Sequence, residues 1–517
     1  MVLKPLKKYG FPALCLAILC VYFVAACTIN FSGRPGFYST DMYTDMVYAQ
    51  EAWEHKSIFP EGWVFGNQLY AVATPVLAAL FYGICSDQVV AMALASTVMG
   101  VLTLVSFGFL IKAMFPGIRL VLLGCAFFAG LTLSFGGAVR EVNGWQLFFT
   151  MCSFYACYAI SAFLAFGCYI RSVKRRPKDQ WLALVFACFM AFGTGVQSLR
   201  QTLIMTCPLV AVEGLWFLLR LWKKRPLLTN TTITCLLIAI CNIAGVLFAE
   251  VANIPQVEIF GKLQWLPLAN GLKNLQASAQ NALSLFGVQD KLLAVVLLSC
   301  GGGGLLCLAW KLWKKGSRAG ALSLCLLGVS VAAILALDCL TTMSVRNIYY
   351  FLLYPLVALA AVAAFFLGGR SIKCWIGALL ILFAAHGTQT QLPEVLEQAR
   401  NPVQYAETVA YLKENGITTV FSGWNRGERI AIASKGAIKA AFWDYYKTPF
   451  VAVMYLCDPA GFDAAPESCA YLFFSPTEAE VAVSKAWERG VELKLQKHIV
   501  TDGIYIYTAD VNLMTKK

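Results

Sequence analysis

Two aspartates four residues apart, Asp41 and Asp45, lie in the stretch Ser39-Thr40-Asp41-Met42-Tyr43-Thr44-Asp45-Met46-Val47-Tyr48-Ala49, shortly after a long apolar run. If that stretch is helical, the i, i+4 spacing puts both carboxylates on one face. A carboxylate so placed can take a hydroxyl proton as a general base. The plainer role for one of them is local: an acid in a first helical turn complements the helix dipole, with Ser39 or Thr40 as the cap. Ionisable groups recur beside later apolar runs as Arg140-Glu141, Arg200-Gln201 and Arg346. A guanidinium fork matches phosphate oxygens bidentately, although each of these arginines taken alone also reads as a snorkelling side chain or half of a local ion pair. Acids and several fixed arginines together suit a substrate with a phosphate and a neutral, proton-bearing nucleophile. His55 is close enough in sequence to join a divalent cation with the aspartates, or simply to be solvated; a metal requirement stays open.

The elements that must hold these groups are membrane helices. The chain has 517 residues, 59% hydrophobic and 13% charged, where soluble domains average about 45–50% and about 25%. A spanning helix needs about 20 apolar residues. Runs of that kind begin near Phe11, Val89, Leu120, Trp145, Trp181, Thr202, Leu228, Leu292, Ala319, Ile348 and Cys374, which predicts a polytopic α-helical membrane protein of about eleven spans. The run over 69–85 is shorter, contains Pro75, and is expected to lie in or dip into the outer leaflet within an external loop over 31–87.

Charge fixes the orientation. The net charge is +13, yet residues 389–517 hold 13 Lys and Arg against 15 Asp and Glu, so the basic excess belongs to the apolar part and is no sign of nucleic-acid binding. With the N-terminus cytoplasmic and the 69–85 run not crossing, seventeen later cations, from Lys112 to Lys373, fall in inner loops, as the positive-inside rule requires. An alternative with the N-terminus outside and twelve spans keeps those loops but exposes Lys4, Lys7 and Lys8. The candidate chemistry then collects at the outer face. The region 1–388 reads as the transmembrane domain and 389–517 as a small external α/β domain. In the latter, helical spacing over 403–415, strands over 418–422 and 471–475, a helix over 477–489 and alternation at 504–507 are expected.

Nineteen cysteines without one CxxC pair, and three histidines, give no zinc-ribbon pattern. Pairing of Cys457 with Cys469 is left open. Gly301–Gly304 lies inside an apolar run, so close helix packing is the expectation and a phosphate loop is not. Trp53, Trp63, Tyr70 and Tyr82 read as an interfacial aromatic belt.

The order of these features resembles the GT-C superfamily of multi-spanning, lipid-phosphate-sugar-dependent glycosyltransferases, typified by protein O-mannosyltransferases and lipid-A aminoarabinose transferases. A first span leads to an acidic external loop with juxtamembrane helices. Arg140-Glu141-Val142-Asn143 opens a later span, followed by Ser198-Leu199-Arg200-Gln201 with Pro208, then Ser344-Val345-Arg346-Asn347-Ile348-Tyr349-Tyr350 with Pro355. The resemblance implies a plasma-membrane transferase of inverting type. It would move a sugar from a polyprenyl-phosphate donor to a glycan, lipid or protein acceptor of the cell envelope on the outer face. Asp41 or Asp45 would be the base, with Arg140, Glu141, Arg200, Gln201 and Arg346 around the lipid phosphate. The adjacent Asp-Glu pair common in well-known members is missing here. Two other readings stay in view: a transporter or flippase of lipid-linked saccharides, which should show midplane charges and interrupted helices, and a non-catalytic envelope-assembly protein.

Overall fold

Helices form where the apolar runs lie. The structure, a computed structural model, describes residues 3–32, 40–135, 144–150, 152–257, 264–342, 345–393, 397, 405–424, 426–443 and 449–516. Among the described residues nine helices are long and apolar enough to cross a membrane: Gly10–Asn30, Gln88–Met114, Pro177–Gln197, Leu199–Trp222, Asn230–Val251, Lys291–Lys314, Arg318–Leu340, Asn347–Leu367 and Arg370–Gln389. Two shorter apolar helices, Ile118–Ser134 and Ala156–Ser172, fall where two further spans are expected. Each has 17 residues, or about 25 Å at 1.5 Å per residue against a hydrocarbon core of about 30 Å, so length alone does not fix the count at eleven. The run at Trp145 differs for a local reason. Its helix stops after Gly144–Phe148 and restarts at Ala156, with Cys152 and Ser153 at φ 78° and 44° between them.

Close approach of backbones organises the bundle around the Trp181–Gln197 and Asn230–Val251 helices. A Cβ on Gly195 would lie 2.2 Å from the Asn242 carbonyl oxygen, and one on Gly245 would lie 2.1 Å from that of Phe192, so only glycine lets these helices touch. Asn242 uses the contact: its amide donates to the Ala191 carbonyl at 2.9 Å and its oxygen accepts from Thr202 and Thr206, both at 2.8 Å. Those threonines bound a π-helical turn, Thr202–Thr206. Pro208 has no N–H for the carbonyl four residues back, and the widened turn absorbs the break. The Gly301–Gly304 run does not pack as expected. All four glycines are exposed and a Cβ on any of them would meet nothing within 4 Å.

The aspartates lie on the Thr40–Glu54 helix, whose residues Met42, Tyr43, Met46, Tyr48, Ala49 and Ala52 are buried. It packs on the Thr74–Cys85 helix, which packs in turn on Gln88–Met114. The segment between is folded rather than spread along the interface. Trp63, Phe65 and Tyr70 stand edge-on around Tyr48, with ring centroids 5.7, 5.7 and 4.9 Å away, and the Tyr48 hydroxyl donates to the Ile58 carbonyl at 2.7 Å. Trp63 and Tyr70 are therefore core residues, correcting the aromatic-belt expectation: a loop rich in aromatics can bury them in its own fold. Leu69 N–H donates to the Gln197 carbonyl at 3.2 Å and Val72 N–H to its side-chain oxygen at 2.7 Å. This ties the loop to the end of the Trp181–Gln197 helix, next to Arg200.

The C-terminal region is an α/β unit with a five-stranded sheet in the order β2-β1-β3-β5-β4. Here β1 is Thr419–Gly423, β2 Lys439–Trp443, β3 Cys469–Phe473, β4 Lys494–Ile499 and β5 Ile504–Thr508. The first three are mutually parallel, while β5 and β4 run antiparallel. Strands β2 and β4 are additions to the sequence expectation. β4 is an exposed edge with two lysines and no clean alternation, the usual disguise of an edge strand. Cys457 and Cys469 are unpaired thiols. Val64 and Cys457 exchange backbone hydrogen bonds at 2.9 and 3.2 Å, and Ala431, Ile432, Phe442 and Leu456 join the apolar core of the membrane helices. The α/β unit is thus seated on the same end of the bundle as the aspartate helix.

At the other end, Glu213 is buried, accepts hydrogen bonds from Tyr169 at 2.7 Å and Thr232 at 2.7 Å, and pairs with Arg220. Basic residues such as Lys178 and Lys223 are exposed there. Cysteines at Glu61→Cys in the loop and Glu480→Cys in the α/β unit should share one labelling behaviour. In a background without exposed native cysteines, both should react with an impermeant thiol reagent under the same condition, on intact cells or only after permeabilisation, and Lys223→Cys under the opposite one. Labelling of Lys223→Cys with one of the other two would break the shared-end arrangement.

Candidate active site

Four of the seven side chains singled out in the sequence meet at one end of the bundle. Asp41, in the first turn of its helix, is surrounded by protein yet its side chain stays exposed to solvent. Burial raises its pKa above the ordinary carboxylate value, and the positive charge of Arg346 pulls it back. Asp45, one turn on, is 3% exposed and accepts a hydrogen bond from Tyr70 at 2.6 Å. Burial, opposed by that bond and reinforced by the charge of Asp41, pushes its carboxyl up to about 8. The shared face therefore leaves Asp41 exposed to solvent and Asp45 buried.

Arg346 is exposed at the entry to a 3₁₀ turn, Asn347–Tyr350. That turn is pinned by Asp338, which accepts from Tyr350 at 2.7 Å and from Asn281 at 2.9 Å. Arg200, half-buried just beyond the Ser198 cap, donates to the Tyr155 hydroxyl at 3.3 Å and lies 4.0 Å from the Tyr349 ring centroid, with Tyr155 and Tyr158 at 5.5 and 5.9 Å. Aromatic faces hold a guanidinium without neutralising it. Among the described residues neither arginine lies within ion-pair distance of a carboxylate. Tyr155 feels the charges of both Arg200 and Arg346, and Tyr455 of the α/β unit feels those of Asp41 and Asp45. Acid and base groups therefore share one neighbourhood.

Of the other three candidates only Gln201 is among the described residues. Gln201 is fully buried, its amide donating to the Tyr158 carbonyl and to the Met205 sulfur, both at 3.3 Å, so it braces the helix junction. Arg140 and Glu141 lie outside the described residues. His55 pairs with the Glu51 carbonyl at 3.0 Å at the far end of the helix, about 15 Å along it from Asp45, so it is no partner for the aspartates. Among the described residues no group of three or more His, Cys, Asp and Glu side chains gathers as a metal cage. The tyrosines were missed in the sequence. Only Tyr349, three residues after Arg346, carried a positional hint.

Asp45 makes a stability prediction with a definite sign. Its folded value of about 8 lies above the ordinary 3.8, so the folded state favours the neutral acid. The stability this contributes is complete below about 4 and is lost as pH rises towards about 8. Thermal unfolding in nanodiscs between pH 5 and 8 should show the wild type weakening with pH, and Asp45→Asn, which keeps an acceptor for Tyr70, weakening less. An unchanged slope would place the Asp45 carboxyl in water.

No family model and no curated protein sequence matches the chain. Solved structures do. The chain is similar to ArnT from Cupriavidus metallidurans bound to undecaprenyl phosphate, with 11% identity, 98% of this chain and 100% of that one covered, and a TM-score of 0.49. It is also similar to the Archaeoglobus fulgidus oligosaccharyltransferase tethered to an acceptor peptide, with 11% identity, 93% and 68% covered, and a TM-score of 0.46. A third match is AglB of Archaeoglobus fulgidus in complex with an inhibitory peptide and a dolichol-phosphate, with 12% identity, 93% and 69% covered, and a TM-score of 0.45. At TM-scores below one half these likenesses carry no chemistry, which rests on this chain's own side chains.

Proposed function

We propose that the protein is a GT-C-like membrane glycosyltransferase that moves a sugar from a polyprenyl-phosphate donor to an acceptor hydroxyl of the cell envelope at the outer face of the plasma membrane. The observation that carries the reading is the pairing of one solvent-accessible carboxylate, Asp41, with two arginines, Arg200 and Arg346, that no carboxylate neutralises among the described residues. In the reaction, the acceptor O–H gives its proton to Asp41 while its oxygen attacks the anomeric carbon. The anomeric C–O bond to phosphate breaks, and the phosphate leaves with the electron pair. Direct displacement inverts the anomeric centre. The arginines stabilise charge growing on the departing phosphate, as donors already in place before the reaction. Asp45, held neutral by burial, keeps a second negative charge away from that phosphate.

The test is transfer of labelled sugar from a synthetic polyprenyl-phosphate sugar by the purified protein in nanodiscs, with the anomeric configuration of the product read by NMR. The assay is run with and without EDTA, because Asp41 alone makes an incomplete cation site that substrate oxygens would have to finish. No transfer and no donor hydrolysis across a panel of donor sugars would defeat the proposal.

A further inference from the structure

Among the described residues Glu428 is the one buried acid of the α/β unit that faces the membrane domain. It opens the short helix Glu428–Ala433 and is 1% exposed. Its Oε2 accepts the Thr40 hydroxyl at 3.3 Å, and its Oε1 lies 3.9 Å from Arg429 Nε, with the charge of Arg426 also close. Thr40 is the first residue of the aspartate helix and Asp41 the second. One turn on, the Tyr43 hydroxyl accepts the Ala440 N–H at 3.2 Å and its ring stands edge-on to Phe442, centroids 6.2 Å apart. The α/β unit therefore grips the first turn of this helix at two points, one of them a carboxyl.

Simple adhesion would not require that carboxyl. Burying an acid is costly unless its partners are fixed, and an apolar contact would dock the two parts as well. A hydrogen bond to Thr40 adds direction, which apolar packing lacks: it sets the rotation and height of the first turn, while Arg346 attracts Asp41 from the membrane-domain side. We propose that Glu428 is a positioning residue for glycosyl transfer, holding Thr40 so that Asp41 is presented to the acceptor beside Arg346. The α/β unit is then part of the catalytic apparatus. This inference rests on the glycosyltransferase reading above.

Glu428→Ala, Glu428→Gln and Asp41→Asn, singly and as Glu428→Ala/Asp41→Asn, are compared in nanodiscs by two measurements. The first is hydrogen–deuterium exchange over residues 40–46. Exchange should rise in Glu428→Ala and stay near wild type in Glu428→Gln, since burial lifts the Glu428 carboxyl to about 7 and below that pH the amide mimics the neutral acid. The second is transfer. Glu428→Ala should lower kcat by on the order of tenfold, the scale of a small misplacement of a catalytic group, with little change in donor KM. In the Asp41→Asn background the same change should have no further effect. Unchanged exchange in Glu428→Ala overturns the inference whatever the activity, and so does an equal loss of rate with and without Asp41. A wild-type protein that transfers nothing overturns the functional reading and with it the role of Glu428 in transfer, while the exchange data still decide whether the grip on Thr40 exists.

Discussion

Asp41→Asn should lower sugar transfer by roughly 10²–10⁴-fold, the usual contribution of a positioned general base, and Asp45→Asn should lower it far less. The two carboxylates share a helix face, and their surroundings separate them. Asp41 is open to solvent and has Arg346 nearby to favour its ionised form. Asp45 is sealed beneath Tyr70 and stays protonated up to about 8, so near neutral pH it has little basicity to lose. Asparagine keeps the shape and hydrogen-bonding reach of each site, so the comparison isolates proton acceptance. The measurement is single-turnover transfer at saturating donor, with both variants at matched protein level. Equal large losses would mean that the pair titrates as one unit, and retention of wild-type turnover by both would end the base assignment and favour a non-catalytic assembly role.

How much of this was legible beforehand follows from which forces are local. The apolar runs locate the membrane helices because insertion is decided segment by segment over about 20 residues. The interruption at Trp145 was not legible, because a five-residue helix and a restart at Ala156 leave the hydropathy of the run intact. The spacing of Asp41 and Asp45 already implied a shared face. Which of them is buried depends on Tyr70, 25 residues away, and on a loop folded around Tyr48. Tyr155 was invisible for a different reason: among 21 tyrosines in an aromatic-rich chain, nothing marks the one whose hydroxyl will face Arg200, whereas Tyr349 is at least placed by its spacing from Arg346. Glu428 lies nearly 390 residues from Thr40, and no periodicity reports a contact of that range.

Arg200 and Arg346 should both be needed for transfer, each by about 10²–10³-fold, the cost of removing one preorganised stabiliser of developing charge, and they should fail in different ways. Arg200 is held by the Tyr155 hydroxyl and the Tyr349 face, with no carboxylate partner among the described residues. Arg200→Ala should therefore lower kcat and weaken donor use while leaving the pH dependence in place. Arg200→Lys should recover little, because an ammonium neither stacks on Tyr349 nor forks onto two phosphate oxygens. Arg346 has a second duty: its charge opposes the rise that burial imposes on Asp41. Removing it lets the Asp41 pKa climb, so less of the base is ionised near neutral pH and the acid limb of the kcat profile moves to higher pH. Lys223→Ala, exposed at the opposite end, is the control and should match wild type. Rate–pH profiles for the three alanine variants decide the matter: parallel losses in all three, or an acid limb that Arg346→Ala leaves in place, would remove Arg346 from the neighbourhood of the base.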